Sequence, residues 1–236
     1  MELFRKIYYL VIAISFALFF NCVQAQTNET ENKLLSSRDK STIAIAVLTA
    51  KGDLVQLKSK LIGGLEAGLT INEIKEIVVH TYAYCGFPRS IRGLQTFMEV
   101  LEERKSKGII DQLGNEATKV INEEDKYSRG KSILQKLTNA TIPNTLSGYA
   151  AFAPIIDIFL KEHLFADIFE RDVLSFIQRE WVTISVISTI GEAEPMLKSH
   201  LLICLNLGVV PEQLKEFTEI IKPIIEMLAA FPSVVI

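Results

Sequence analysis

The sequence predicts an all-α fold made of two degenerate copies of one helical unit. Three observations carry that expectation: apolar residues recur every three or four positions, glycine and proline punctuate those runs, and one block of residues returns later in the chain. No segment shows the alternation with period two that a half-buried strand requires.

At the N-terminus, Arg5 and Lys6 precede an apolar run over 7–20 and then Val23-Gln24-Ala25, the pattern of a secretory signal cleaved after Ala25. The run falls short of the roughly 20 residues needed to cross a bilayer. The expectation is an exported chain, periplasmic or secreted, with no stable membrane span. Lipid attachment at Cys22 is disfavoured, because Asn21 before it suits a lipoprotein signal poorly.

The first unit is placed at 34–108. Ile43, Ala46, Val47 and Ala50 form one apolar stripe, and Leu54, Leu57, Leu61 and Leu65 form a second. Gly68 ends that helix, and the capping-box sequence Thr70-Ile71-Asn72-Glu73 opens the next. This third helix is expected to run to Cys85, break at Gly86, and resume at Pro88 towards Lys107.

A polar connector over 109–144 carries a short helix over 127–137. The second unit, 145–236, begins with Phe152, Ile155, Ile156, Phe159, Leu160 and Phe165 at helical spacings. Gly208 is its counterpart of Gly68, and Pro211 suits a first helical turn.

Residues 57–76 and 197–216 share eight identities in twenty at an offset of 140. Arg38-Asp39 with Thr42-Ile43 matches Arg179-Glu180 with Thr183-Ile184 at 141, and Phe87-Pro88 matches Phe231-Pro232 at 144. Duplication is the expectation; chance likeness between amphipathic helices is the alternative.

The formal net charge is −3, without basic clusters, which argues against a nucleic-acid partner. Cys22, Cys85 and Cys204 form neither a C-x-x-C pair nor a His/Cys spacing, so no metal site is expected. Cys85 and Cys204 could pair in an oxidising compartment or remain buried thiols.

Glu73, Glu76, His80 and Tyr84 fall within an arc of about 80° when each residue turns a helix by 100°. A neighbouring carboxylate fixes a histidine tautomer and moves its pKa, so this set suits general acid or base work. The stripe could instead be a solvated face. Val79, Ala83 and Ile77 border it closely, however, and suit a stripe covered by another copy or subunit.

Cys85 would act as a nucleophile only with a stabilised thiolate; a buried structural cysteine is the simpler reading. Arg89 and Arg92 lie where backbone N–H groups favour an anion, or are plain surface arginines. His200, at the position matching Lys60, either packs at a core edge or faces the stripe of the first copy. His163 is expected to be exposed.

In these residues the chain resembles the carboxymuconolactone decarboxylase family, which includes the alkylhydroperoxidase-D-like proteins. The marks are Arg38-Asp39, Glu73 and Glu76 ahead of His80, Tyr84-Cys85-Gly86-Phe87-Pro88, and His200 followed by Leu205-Asn206-Leu207-Gly208-Val209. The resemblance implies an all-helical, cofactor-free homo-oligomer, and two fused units would mimic a dimer within one chain.

It also implies decarboxylase or lyase-type chemistry on a small carboxylate or lactone. Arg89 or Arg92 would hold the anion, His80 with Glu76 and His200 would deliver the proton, and Tyr84 would hydrogen-bond the enolate. The peroxidase branch uses a Cys-x-x-Cys pair, whereas Pro88 stands three positions after Cys85 here. Hydroperoxidase or peroxiredoxin-type activity would therefore depend on a single cysteine and an external thiol. A non-catalytic oligomeric binding scaffold is the third possibility. The second unit has Lys222-Pro223-Ile224-Ile225 in place of the acid-base stripe, so at most one site per chain is expected.

Overall fold

Helix α1, Ser37–Lys51, is the hub of the structure. Ser36 caps it through a reciprocal box with Asp39, and Gly52 ends it in the left-handed conformation. Every residue from Thr42 to Ala50 is buried, as befits a helix surrounded on all sides. The computed structural model describes residues 34–121 and 124–226. The expected signal segment, Asn122-Glu123 and Phe231-Pro232 lie outside those residues.

Four helices surround α1: α2 (Leu54–Glu66), α3 (Ile71–Ser106), α7 (Phe176–Ile190) and α9 (Pro211–Glu226). Thr70 and Glu73 form the expected capping box at the start of α3. The helix kinks at Gly86, with φ 80° and ψ 162°, a region that is essentially glycine's alone. Pro88 then sits in the first turn after the break, where its missing N–H costs no helical bond.

The connector contributes α4, Lys126–Thr138, which lies against the π-helix Phe159–Ile168. A Cβ at Gly130 would stand 1.8 Å from the Lys161 carbonyl oxygen, so only glycine permits this approach. The apolar stretch ahead of α7 is not one amphipathic helix. Pro154 restarts the chain, giving the five-residue helices α5 (Gly148–Phe152) and α6 (Pro154–Ile158) before the π-helix.

The expected apolar positions divide accordingly. Phe152, Ile155, Ile156 and Phe159 are exposed, while Phe165 joins Leu164, Ile168, Phe169, Leu137 and Ile203 in a core cluster. Helix α8, Glu194–Asn206, completes the fold between α7 and α9. Among the described residues there is no strand, and no helix is long and apolar enough to cross a membrane.

The two helical halves correspond in their ends. Helices α1 and α7 each have 15 residues, and α2 and α8 each have 13. Ser36 and Ser175 are both capping-box N-caps, and Gly52 and Gly191 both stand at C-caps. Gly68 and Gly208 have φ of 89° and 92°, and each donates its N–H to the carbonyl three residues back.

These ends place α1 and α7 at an offset of 139, two residues from the offset of the Arg38-Asp39 and Arg179-Glu180 blocks. Two residues turn a helix by about 200°, so the difference changes which face corresponds. In this register Lys40 takes the place of Arg179. The ion pair Lys40–Glu216 then answers to Arg179–Glu76.

Candidate acid-base site

The stripe on α3 is covered by α7. Glu76 and His80 are 4% and 0% exposed, so the solvated-face reading does not hold for them. The two charged residues of α7, Arg179 and Glu180, are completely buried and must be met by partners.

Arg179 meets two of the stripe residues. Its Nη2 donates to Glu76 Oε1 at 2.8 Å, and its Nη1 donates to His80 Nδ1 at 3.1 Å. Arg171 adds a bidentate pair from the surface side, its Nε and Nη2 lying 2.8 and 3.0 Å from the Glu76 oxygens. Burial pushes the Glu76 carboxyl up, but hydrogen bonds and charge from Arg171 and Arg179 outweigh it and hold the group below its ordinary range.

An arginine only donates, so His80 Nδ1 is an acceptor and the ring proton sits on Nε2. That nitrogen is 3.0 Å from Thr183 Oγ1. Burial, with the Arg179 charge beside it, pushes the imidazole well below its usual pKa, so His80 is neutral. Thr183 Oγ1 is also 3.1 Å from the Tyr84 hydroxyl. Burial raises the Tyr84 pKa and keeps the phenol protonated.

Next to Tyr84 lies a second pair. His200 Nδ1 is 2.8 Å from Glu180 Oε2, and the His200 and Tyr84 rings meet edge to face at 6.3 Å. Glu180 is fully buried while the His200 side chain is 13% exposed, so the pair has one buried and one accessible end. Burial pushes the Glu180 carboxyl up, and His200 pulls it back only in part. A carboxyl group on Nδ1 fixes the orientation of the ring.

The other expected site residues lie elsewhere. Glu73 closes the α3 capping box and pairs with Arg38, which also reaches the Gly68 carbonyl. Cys85 Sγ is 3.1 Å from the Thr81 carbonyl, and burial pushes its thiol up, away from the thiolate. Arg89 and Arg92 are exposed beyond the Gly86 kink: Arg89 lies against Gly52, and Arg92 donates to Gln95 at 2.6 Å. The kink turns this half of α3 away from the stripe, so neither arginine joins the network.

His163 is exposed, 3.2 Å from Asp167. Cys85 and Cys204 are both free thiols. Among the described residues, no group of three or more His, Cys, Asp and Glu is placed to hold a metal ion.

Arg179, Glu180, Thr183 and Arg171 were absent from the expected site. The signal for the first two was in the sequence: adjacent charges at the head of an otherwise uncharged helix need buried partners. Nothing local pointed to Arg171.

Fold and site together define an all-helical protein whose centre is a buried Glu–Arg–His–Thr–Tyr network beside a Glu–His pair. Residues 17–97 match the family model described as the carboxymuconolactone decarboxylase family. The matched segment carries Glu76, His80 and Tyr84. No curated protein matches the chain.

Proposed function

We propose that the protein performs cofactor-free acid-base chemistry of the decarboxylase or lyase type on a small carboxylate or lactone. One observation carries the reading: His200 has Nδ1 held by the buried Glu180 carboxyl, its side chain is partly accessible, and a protonated phenol lies beside it. That combination supplies a proton-transfer group and a hydrogen-bond donor at one place.

In this reading His200, rather than His80, exchanges the proton. Both His80 nitrogens are occupied and its ring is wholly buried, which suits a positioning residue. Glu180 orients His200, and Glu76 holds Arg179. The single-cysteine peroxidase alternative has no support from the Cys85 surroundings, because a raised thiol is a poor nucleophile.

We further propose that the chain arose by duplication, which the paired caps and the Lys40–Glu216 and Arg179–Glu76 ion pairs support. At the same offset as Glu76 and Glu216, Ile220 and Ile224 stand in the places of His80 and Tyr84, so the second unit lends residues to one site rather than forming its own. Homo-oligomer formation is a separate proposal. It rests on the exposed Phe152, Ile155 and Phe159, and sedimentation at several concentrations tests it.

The functional test is carbon dioxide release from a panel of lactone carboxylic acids and β-keto acids. Release by the wild-type chain and its loss in His200→Gln is the expected result. Absence of release across the panel, with rapid thiol-dependent consumption of peroxide, would replace this reading with the peroxidase one.

A further inference from the structure

Two irregular stretches of helix face each other across a cavity of about 370 Å³. Tyr82, Ala83 and Phe87, around the Gly86 kink of α3, form one wall, and Ile156, Phe159 and His163, from α6 and the π-helix, form the other. At the kink the Phe87 ring comes back against Tyr82, the two stacked with centroids 4.6 Å apart and planes 19° apart. The π-helix runs for ten residues, whereas π geometry is mostly a single-turn bulge and is frequent at functional sites.

None of Glu76, His80, Tyr84, Glu180 and His200 lines this cavity, so it is separate from the acid-base network. Its size and its lining, apolar and aromatic with few polar groups, are those of a small-molecule pocket. Phe87, Phe159 and Ile156 are 63%, 56% and 47% exposed, apolar surface that a ligand would remove from water.

His163 supplies the polar contact. Its Nδ1 is 3.2 Å from Asp167 Oδ2, and Lys126 Nζ is 2.8 Å from the other Asp167 oxygen. Burial pushes the Asp167 carboxyl up, but hydrogen bonds and charge from Lys126 and His163 outweigh it and hold the group below its ordinary range. A carboxylate only accepts, so the proton between the two sits on His163 Nδ1, and in the neutral ring Nε2 is the acceptor. Asp167 is outside the cavity lining, which turns the Nδ1 edge of the ring away from the cavity. The His163 and Tyr82 rings are 5.6 Å apart, so one ring-sized ligand reaches both the nitrogen and the aromatic wall.

We propose that the cavity between the Gly86 kink and the π-helix binds a monocyclic phenol, its ring against Tyr82, Phe87 and Phe159 and its hydroxyl donating to His163 Nε2. Aromatic neighbours, stacked or edge-on, reward a ring beyond the area it buries. An alkyl chain would leave the histidine nitrogen without a partner, and an aromatic carboxylate would set an anion against its lone pair. A second copy of the chain is the less fitting occupant, because an apolar contact between copies needs no oriented acceptor inside a concavity. Phe152 and Ile155 lie outside the cavity but Phe159 belongs to both surfaces, so the test reads self-association beside binding.

The experiment is fluorine-19 NMR of 4-fluorophenol titrated with the full chain, with fluorobenzene and 4-fluorobenzoate as comparison probes. A pH of about 8 lies between the ordinary values of an imidazole and a phenol. Saturable binding of 4-fluorophenol with a Kd of about 1 mM or tighter is expected, and about tenfold weaker binding of the other two probes. Ala83 and His163 are exposed, so changes there spare the core. His163→Phe is expected to weaken 4-fluorophenol binding about tenfold and to leave fluorobenzene unchanged. Ala83→Trp, which fills the cavity, is expected to abolish binding of both.

No saturable binding up to about 10 mM, equal affinity for 4-fluorophenol and fluorobenzene, or wild-type affinity in either variant would overturn the proposal. Sedimentation of the same samples reads the competing occupant: self-association that Ala83→Trp abolishes, without probe binding, would overturn the proposal and assign the cavity to a second copy. None of these readouts depends on turnover, so the outcome is independent of the acid-base reading.

Discussion

The Arg179 guanidinium bridges two residues of α3, donating to His80 Nδ1 at 3.1 Å and to Glu76 Oε1 at 2.8 Å. A buried cation paired in this way fixes the orientation of both partners and ties α7 to α3. Arg179→Ala leaves Glu76 with only its surface partner and His80 without a donor. The expected loss is about 3–5 kcal/mol in urea unfolding. Arg171→Ala removes a side chain that is 43% exposed, where solvent screens the pair, and is expected to cost about 1 kcal/mol or less.

His80 makes stability depend on pH. Its folded pKa is depressed by burial and by Arg179, so the unfolded chain takes up a proton first as pH falls. The contribution is present above the ordinary histidine value of 6.5 and is lost progressively below it. The slope from this group approaches about 1.4 kcal/mol per pH unit. Glu76, also depressed, adds a loss below 4.5. Glu180 is raised, so its contribution runs the other way and declines as pH climbs through its folded pKa. Urea titrations of wild type and His80→Gln between about pH 6.5 and 5 isolate the histidine, and the variant is expected to show the shallower dependence.

Cys85 is expected to be chemically quiet. Burial raises its thiol, and Sγ is engaged with the Thr81 carbonyl. Reaction with a maleimide near neutral pH should be slower than that of a free model thiol. Cys85→Ser should keep any lactone decarboxylation. Faster labelling than the model thiol would put the single-cysteine alternative back in contention.

Gly86 sets the direction of the second half of α3. At φ 80° and ψ 162°, Gly86→Ala carries a backbone penalty of about 1–3 kcal/mol. A thermal-unfolding comparison with wild type reads that loss.

Much of the helical framework was legible because local chemistry determines it. Thr70 and Glu73, Gly68, Gly86, Gly208 and Pro211 all mark ends or breaks where the sequence places them. The stripe of Glu76, His80 and Tyr84 was legible as well, since one helix carries all three. What covers it was not. Arg179 and Thr183 arrive from a helix about a hundred residues later, and only packing brings that face to α3. The separation of Arg89 and Arg92 from the site was equally hidden, because angular periodicity cannot be carried across the glycine kink. The two-residue shift between the sequence blocks and the helix ends has the same origin: identities can align without sharing a face.

The central claim is that His200, oriented by Glu180 and adjacent to Tyr84, is the proton-transfer group. Its most direct test is the rate of carbon dioxide release from the best lactone acid of the panel by wild type and His200→Gln. A fall of about 10²–10⁴-fold in kcat with folding intact is the predicted result. Turnover within about twofold of wild type, a difference of only about 0.4 kcal/mol in barrier, would contradict the account.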